Sequence, residues 1–194
     1  MESASSHPMV ELHNDMQISK GASRRCYRHP TDPGKCIKVY RASSKNALDG
    51  NEYELSVYAD LKEKLNGFIV DYDAELIRTD QGPGLVCELL RDEDGSISGS
   101  LKTYRTRHAI GPDLRQQLDQ FFELLFTEGL YFYDFNLKNF IVQKTSTGEH
   151  LKYIDIKGYQ RAKSWIKTEH ALPFMARQKM KRRMKKLYRQ ADLS

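Results

Sequence analysis

The hydrophobic rhythm of this chain changes once, at Asp92-Glu93-Asp94-Gly95, and that change limits the folds open to it. Ahead of it, short apolar runs alternate with turn residues. The stretch from Ile18, ISKGASRRCYRHP, reads as extended structure, Thr31-Asp32-Pro33-Gly34 as a turn, and KCIKVYR as the strand that follows. Residues 43–65 contain a helix with Leu55, Tyr58, Leu61 and Leu65 on one face, and Gly67 ends it. FIVDYDAELIRTD and GLVCELLRD then form a second hairpin across Gln81-Gly82-Pro83-Gly84. Beyond the acidic turn the helical period takes over. Residues 98–110 read as a short helix or loop, and LRQQLDQFFELLFTEG (114–129) is an amphipathic helix closed by Gly129. FIVQ and LKYIDI flank the turn KTSTGEH as a hairpin, and ALPFMARQKMKRRMKKLYRQ is a basic helix. The expected class is α+β, in three parts: a flexible tail over 1–15, a β-rich lobe with one helix over 16–91, and a reduced helical lobe over 92–194. A β-rich half followed by a helical half predicts a cleft between two lobes.

The 194 residues, 39% apolar and 29% charged, suffice for a buried core. No run approaches the ~18 uninterrupted apolar residues of a membrane span. The N-terminal residues lack the basic and apolar regions of a secretory signal, so a cytoplasmic location is expected. Cys26, Cys36 and Cys87 cannot all pair and fit no zinc spacing, which predicts three reduced thiols. The six histidines show no metal spacing either. The net charge of +5 is uneven, because Lys157 to Gln190 holds twelve basic residues against the single acid Glu169. Such a segment either docks an anionic partner (a membrane surface, nucleic acid or an acidic protein) or is a solvated helix face.

Three polar features carry chemistry. Asp134 and Asn139 lie five residues apart after a helix and before a strand, and Asp155 ends the next apolar run ahead of Gly158. Phosphoryl transfer needs such a set, with one carboxylate to orient the attacking hydroxyl, and an Asn and an Asp to hold magnesium on the phosphates. Lys38, inside an apolar strand, either snorkels to solvent or contacts phosphate. The residues before it include Gly21, Ala22 and Ser23, small enough for close backbone approach to phosphate, and Glu54 on the following helix is placed to pair with it. Arg24 and Arg25 either touch phosphate or face solvent.

In this order the features resemble the PhoP-regulatory-network protein YrbL family, a bacterial branch of the kinase-like superfamily. GASRRCYRHPTDPGKCIKVY is most similar to that family's signature, and YDFNLKNFIV and YIDIKG resemble the kinase-like catalytic loop and metal-binding motif. The resemblance covers residues 15–160 and implies a compact protein-kinase-like fold with an ATP–magnesium site. By it, Lys38 holds the α/β phosphates and Glu54 pairs with Lys38. Glu54 fits because Tyr58 and Leu61 follow it in the E-x₃-Y-x₂-L pattern of related small-molecule kinases, with Glu52 as second choice. Asp134 is then the catalytic base, Asn139 and Asp155 hold magnesium, and the backbone from Glu88 to Leu90 meets adenine. There are departures from ordinary protein kinases. Phe132 and Tyr133 replace the catalytic-loop His and Arg, the metal motif reads Asp-Ile-Lys-Gly, and 36 residues follow Gly158, too few for an activation segment and a full substrate lobe. The implied function is an ATP–magnesium phosphotransferase acting on a hydroxyl, or alternatively a nucleotide-binding pseudokinase serving as a regulatory interaction module.

Overall fold

The computed structural model describes residues 9–41, 49–132, 135–159 and 171–193, the side chains of 171–174 and 176 apart. It divides into two compact units, one of Met1–Asp60 with Val70–Leu90 and the other of Leu61–Ile69 with Arg91–Ser194.

The first unit is built on an antiparallel five-stranded sheet of β1 (Gln17–Lys20), β2 (Arg24–Arg28), β3 (Lys35–Tyr40), β4 (Ile77–Thr79) and β5 (Gly82–Glu88), in the order β1-β2-β3-β5-β4. The extended stretch from Ile18 is therefore two strands. The chain reverses at Gly21–Ser23, where the Gly21 amide donates to the Arg24 carbonyl at 2.8 Å. The Pro-Gly turn closes the next hairpin as expected: the Asp32 carboxylate accepts from the Gly34 amide at 2.8 Å, and Tyr27 faces Ile37. The third connection turns at Asp80-Gln81, with Gly82 at φ +107, where a side chain would be strained.

Strand alternation gives β3 two faces. Ile37 and Val39 join Tyr27, Val86 and Leu12 in one core cluster, flanked by Val10, Met16 and Ile77. This corrects the expectation of a flexible tail for residues 10–15. Val10 bridges to Thr79, its amide donating to the Arg78 carbonyl at 2.9 Å, and the Leu12 amide donates to the Asp80 carboxylate at 2.9 Å. Alternating Val10, Leu12 and Met16 lie among polar neighbours, too short a pattern to register in the sequence. The first eight residues lie outside the described ones.

α1 (Gly50–Leu61) also departs from expectation, and residues 43–48 of the stretch expected to contain the helix lie outside the described ones. Its buried stripe is Asn51, Glu54, Val57 and Leu61, whereas Leu55 and Tyr58 are only half-buried. Two polar residues in the inward stripe blur the amphipathic signal, so the leucines point to a face slightly rotated from the real one.

The second unit contains β6 (Gly99–Ser100), α2 (Leu101–Arg105), α3 (Pro112–Thr127), β7 (Phe140–Thr145), β8 (Gly148–Tyr153) and α4 (Ala171–Gln190), with the strands in the order β6-β7-β8. α3 starts with Pro112 in its first turn, buries Leu114, Leu118, Phe121, Phe122 and Leu125, and is followed by Gly129 at φ +62. Gln117 on α3 ties the helix to β8, donating to the Glu149 carbonyl and accepting from the Leu151 amide, each at 2.8 Å. Phe121 packs against Phe140 and Tyr153, ring centroids 5.5 Å apart in both cases. α4 buries Met180 and Leu187, stacks Tyr188 near Phe122 at 5.9 Å and lays Arg177 over the Phe126 ring at 5.5 Å.

Candidate functional site

In the first unit the polar face of β3 carries Cys36, Lys38 and Tyr40, and Lys38 stands opposite Cys26 on β2 and Leu85 on β5. A lysine at the centre of a sheet must find counter-charge or leave the interior. Here α1 supplies it. The Lys38 ammonium donates to Glu54 Oε1 at 3.3 Å and to the Tyr72 hydroxyl at 3.3 Å, and that hydroxyl donates to the same Glu54 oxygen at 2.8 Å. The other Glu54 oxygen, Oε2, accepts from Arg24 at the start of β2. Glu54 is 0% exposed, and the Lys38 and Arg24 side chains are each 12% exposed. One turn earlier on α1, Asn51 donates to the carbonyls of Lys38 and Pro83 at 2.9 and 2.8 Å, clamping the helix to β3 and β5.

The electrostatics follow from burial and charge together. Burial alone would raise the Glu54 pKa; Lys38 and Arg24 outweigh it and hold the carboxyl at about 2, against an ordinary 4.5. Burial also works against the Lys38 ammonium, but the Cys87, Tyr72 and Glu54 side chains around it more than offset that and hold its pKa well above the usual lysine range. Burial and the Glu54 carboxylate keep the Tyr72 phenol protonated, so it remains a donor. The pair is thus a fixed ammonium–carboxylate pair at neutral pH.

Cys36 and Cys87 face each other across β3 and β5 with sulfurs 3.4 Å apart, and Cys26 lies on the same face. All three are free thiols, as the sequence predicts. A hydrogen bond with Cys26 and burial push Cys36 up to about 12, which leaves it poorly reactive.

Gly21 is exposed in the β1–β2 turn, while the Ser23 carbonyl accepts from the Arg41 amide at 2.9 Å, and Arg41 also donates to the Ala22 carbonyl at 3.3 Å. The turn is therefore held from beneath. At the far end of β5, the Glu88 amide donates to the Asp71 carbonyl at 2.8 Å and the Leu89 amide to the Gly34 carbonyl at 2.7 Å. Of the residues expected near adenine, Glu88 thus has its amide committed internally, and the Leu90 side chain is buried.

In the second unit, Asn136 caps a 3-10 turn over Leu137–Asn139, accepting from the Lys138 amide at 3.0 Å. The turn delivers Asn139 to the start of β7, where its carbonyl accepts from the Ile154 amide at 2.9 Å. That bond aligns it with the residues leaving β8. Sixteen residues apart in sequence, Asn139 and Asp155 then meet: the Asn139 amide donates to Asp155 Oδ2 at 3.2 Å. The Asp155 side chain is 17% exposed, and the Lys157 ammonium lies 3.9 Å from Oδ1. An amide and a carboxylate are hard oxygen donors suited to magnesium, and turned over, the same amide presents its oxygen beside the carboxylate. Among the described residues no three His, Cys, Asp or Glu side chains form a metal cluster. Asp134 lies outside the described residues; its neighbours Phe132 and Phe135 pack on Tyr153 and Phe122, at 5.7 and 4.8 Å between ring centroids.

Lys38 and Glu54 are thus together in the first unit, and Asn139 and Asp155 together in the second. Two participants escaped the sequence reading. Tyr72 lies between Asp71 and Asp73 with no signal of its own, and the sequence leaves Arg24 open between phosphate and solvent. Arg25, by contrast, faces the other side of β2, its guanidinium 3.5 Å from the Tyr27 hydroxyl.

The family model described as PhoP regulatory network protein YrbL matches residues 10–192. The YrbL proteins of Escherichia coli (strain K12) and Shigella flexneri are each 29% identical to this chain over 110 residues, 56% of this chain and 52% of theirs. The match thus spans about half the length of these curated relatives. The crystal structure of PF14_0431, kinase domain, superposes with a TM-score of 0.57 at 15% identity, over 80% of this chain and 54% of that one. A Stt7 homolog from Micromonas algae, soaked with ATP, gives 0.57 at 15% over 73% and 47%. At that identity the likeness is one of fold, which is α+β and protein-kinase-like.

Proposed function

The chain belongs to the PhoP regulatory network protein YrbL family, and from the side chains its kinase-like fold assembles we propose that it is an ATP- and magnesium-dependent phosphotransferase acting on a hydroxyl. The observation that carries the reading is the buried pair of Lys38 and Glu54, whose carboxylate also accepts from Arg24 and Tyr72. In this proposal Lys38 binds the α/β phosphates and Glu54 fixes its position. Gly21 and Ser23 bring backbone close to phosphate, and the Leu90 backbone, with Glu88 beside it, faces adenine. Asn139 and Asp155 hold magnesium, which neutralises charge on the phosphates when bound. Asp134 accepts the proton of the attacking hydroxyl. The ATP-soaked relative in fold supports nucleotide binding. A complete set of these residues favours turnover over a pseudokinase.

The first test is thermal. ATP should raise the melting temperature of the wild type only with magnesium present, by about 2.7 kcal/mol of stabilisation at a hundredfold excess over Kd. Asp155→Asn should remain folded and lose the metal-dependent part. A full metal-dependent shift in that variant would remove Asp155 from the site.

α4 supports a second proposal, an anionic partner. Met180 and Leu187 are buried, whereas Lys179, Arg182, Lys185, Lys186 and Arg189 have no ion pair among the described residues, and all five are exposed. Among the described residues no helix is long and apolar enough to cross a membrane. The stripe suits a peripheral anionic bilayer surface, met from the cytoplasm, at about 1 kcal/mol per cation. Replacing the five by glutamine should abolish salt-sensitive co-sedimentation with anionic vesicles without unfolding the chain. Unchanged co-sedimentation would leave the stripe as a solvated face.

A further inference from the structure

Three thiols share one face of the sheet in the first unit, one on each of three neighbouring strands: Cys26 on β2, Cys36 on β3 and Cys87 on β5. They form a chain, because Cys36 hydrogen-bonds to Cys26 on one side and, with sulfurs 3.4 Å apart, to Cys87 on the other. Cys36 and Cys87 are directly opposed in the antiparallel register. Opposed residues of such a pair have Cα atoms roughly 4.5–5.5 Å apart, inside the ~4.4–6.8 Å that a disulfide spans. Bonding them therefore needs no change of register. Access falls along the chain of thiols. Cys26 is half-buried, whereas Cys36 and Cys87 are 4% and 2% exposed. An oxidant from solvent thus meets Cys26 first, and the pair best placed to bond lies behind it.

We propose that Cys36 and Cys87 are an oxidation site, closed to a disulfide by hydrogen peroxide that enters through Cys26. The Cys26 sulfur attacks the peroxide O–O bond, one oxygen leaves as water, and Cys26 becomes a sulfenic acid. Cys36 displaces that hydroxyl, which departs with the Cys36 proton as a second water, and a Cys26–Cys36 disulfide forms. Cys87 then attacks the Cys36 sulfur and its proton passes to Cys26, which is again a thiol. In sum, Cys36 and Cys87 give up two electrons and two protons, and the peroxide leaves as two waters. The order of steps suits the thiols. The hydrogen bond with Cys26 and burial hold Cys36 protonated, up to about 12, so it reacts through its neighbour rather than with oxidant directly. The bond would tie β3 to β5 beside Lys38, which stands opposite Cys26 and two residues after Cys36. None of this depends on the nucleotide reading above.

The test exposes the folded, reduced full chain to hydrogen peroxide, quenches samples with N-ethylmaleimide in denaturant, and maps the peptides without reduction by mass spectrometry. The wild type should yield a linked Cys36–Cys87 peptide with Cys26 alkylated, and dithiothreitol should restore three alkylatable thiols. During the time course Cys26 should lose its alkylation and then regain it. Cys26→Ser should form the same link at least ~10-fold more slowly, because the accessible thiol is gone. Cys87→Ser should stop at a Cys26–Cys36 link. Cys36 and Cys87 both still alkylated after Cys26 has been oxidised, or a Cys36–Cys87 link that forms only in denaturant, overturns the site. An equal rate in Cys26→Ser overturns the entry role of Cys26. Where a serine variant fails to fold, the wild-type time course decides alone: a Cys36–Cys87 link that accumulates while Cys26 stays fully alkylated throughout overturns the relay.

Discussion

Glu54→Gln should cost about 3–5 kcal/mol of folding stability, the usual consequence of removing one partner from a buried ion pair. The amide keeps the shape and some hydrogen bonding, but removes the carboxylate charge that Glu54 supplies to two buried cations, Lys38 and Arg24. Lys38→Met should cost less, because Arg24 still neutralises Glu54. That ordering is specific to a shared carboxylate; a simple two-residue bridge gives similar losses from either side. Acid dependence checks the same point. The folded carboxyl titrates at about 2 against 4.5 ordinarily, so its pKa is depressed by folding. Its contribution is complete above the unfolded value and is lost as pH falls from 4.5 towards 2. A gap of that size corresponds to roughly 3 kcal/mol. Urea denaturation of the wild type should therefore weaken through this window, and Glu54→Gln should lack that component. Parallel acid profiles for the two proteins would contradict the ion-pair assignment.

Asp134→Asn should lower phosphoryl transfer by at least ~100-fold while leaving Mg–ATP affinity nearly unchanged. The substitution preserves size and removes only the carboxylate that would take the hydroxyl proton. Loss of binding in parallel with turnover would instead make Asp134 part of the nucleotide site. Because the acceptor hydroxyl is not defined by the site, ATP hydrolysis, with water in the acceptor position, is the practical readout. An Asp155→Asn control separates the two roles, since it should fail in metal-dependent binding before it fails in chemistry.

Different physical signals decided what the sequence could convey. Turn chemistry was legible at Thr31-Asp32-Pro33-Gly34 and before Gly148, because Pro and Gly leave few backbone options there. The α3 stripe of Leu114, Leu118, Phe121, Phe122 and Leu125 was legible because an apolar face seven residues in period has no polar intruder. α1 was misread by a fraction of a turn for the converse reason: its inward face carries Asn51 and Glu54, each satisfied by partners distant in sequence. A local rule broken in this way marks the candidate site itself. The Val10–Met16 segment packs through a few scattered apolar side chains and backbone bonds to Arg78 and Asp80, none with a sequence period. Tyr72 and Arg24 join the cluster through the antiparallel register of the sheet and the path of the chain after α1. A linear reading places Lys38 and Glu54 in a plausible order, but only the folded register shows that a third and fourth side chain share the carboxylate.

Incubating the purified protein with γ-labelled ATP and magnesium, and following label in free phosphate and on acceptors, decides whether it transfers phosphoryl groups. The wild type should remove the γ-phosphate from ATP in a magnesium-dependent way, and Asp134→Asn should nearly abolish that loss. ATP that binds with magnesium yet keeps its γ-phosphate, with water and with every class of hydroxyl acceptor supplied, would contradict phosphotransfer and leave a nucleotide-binding pseudokinase.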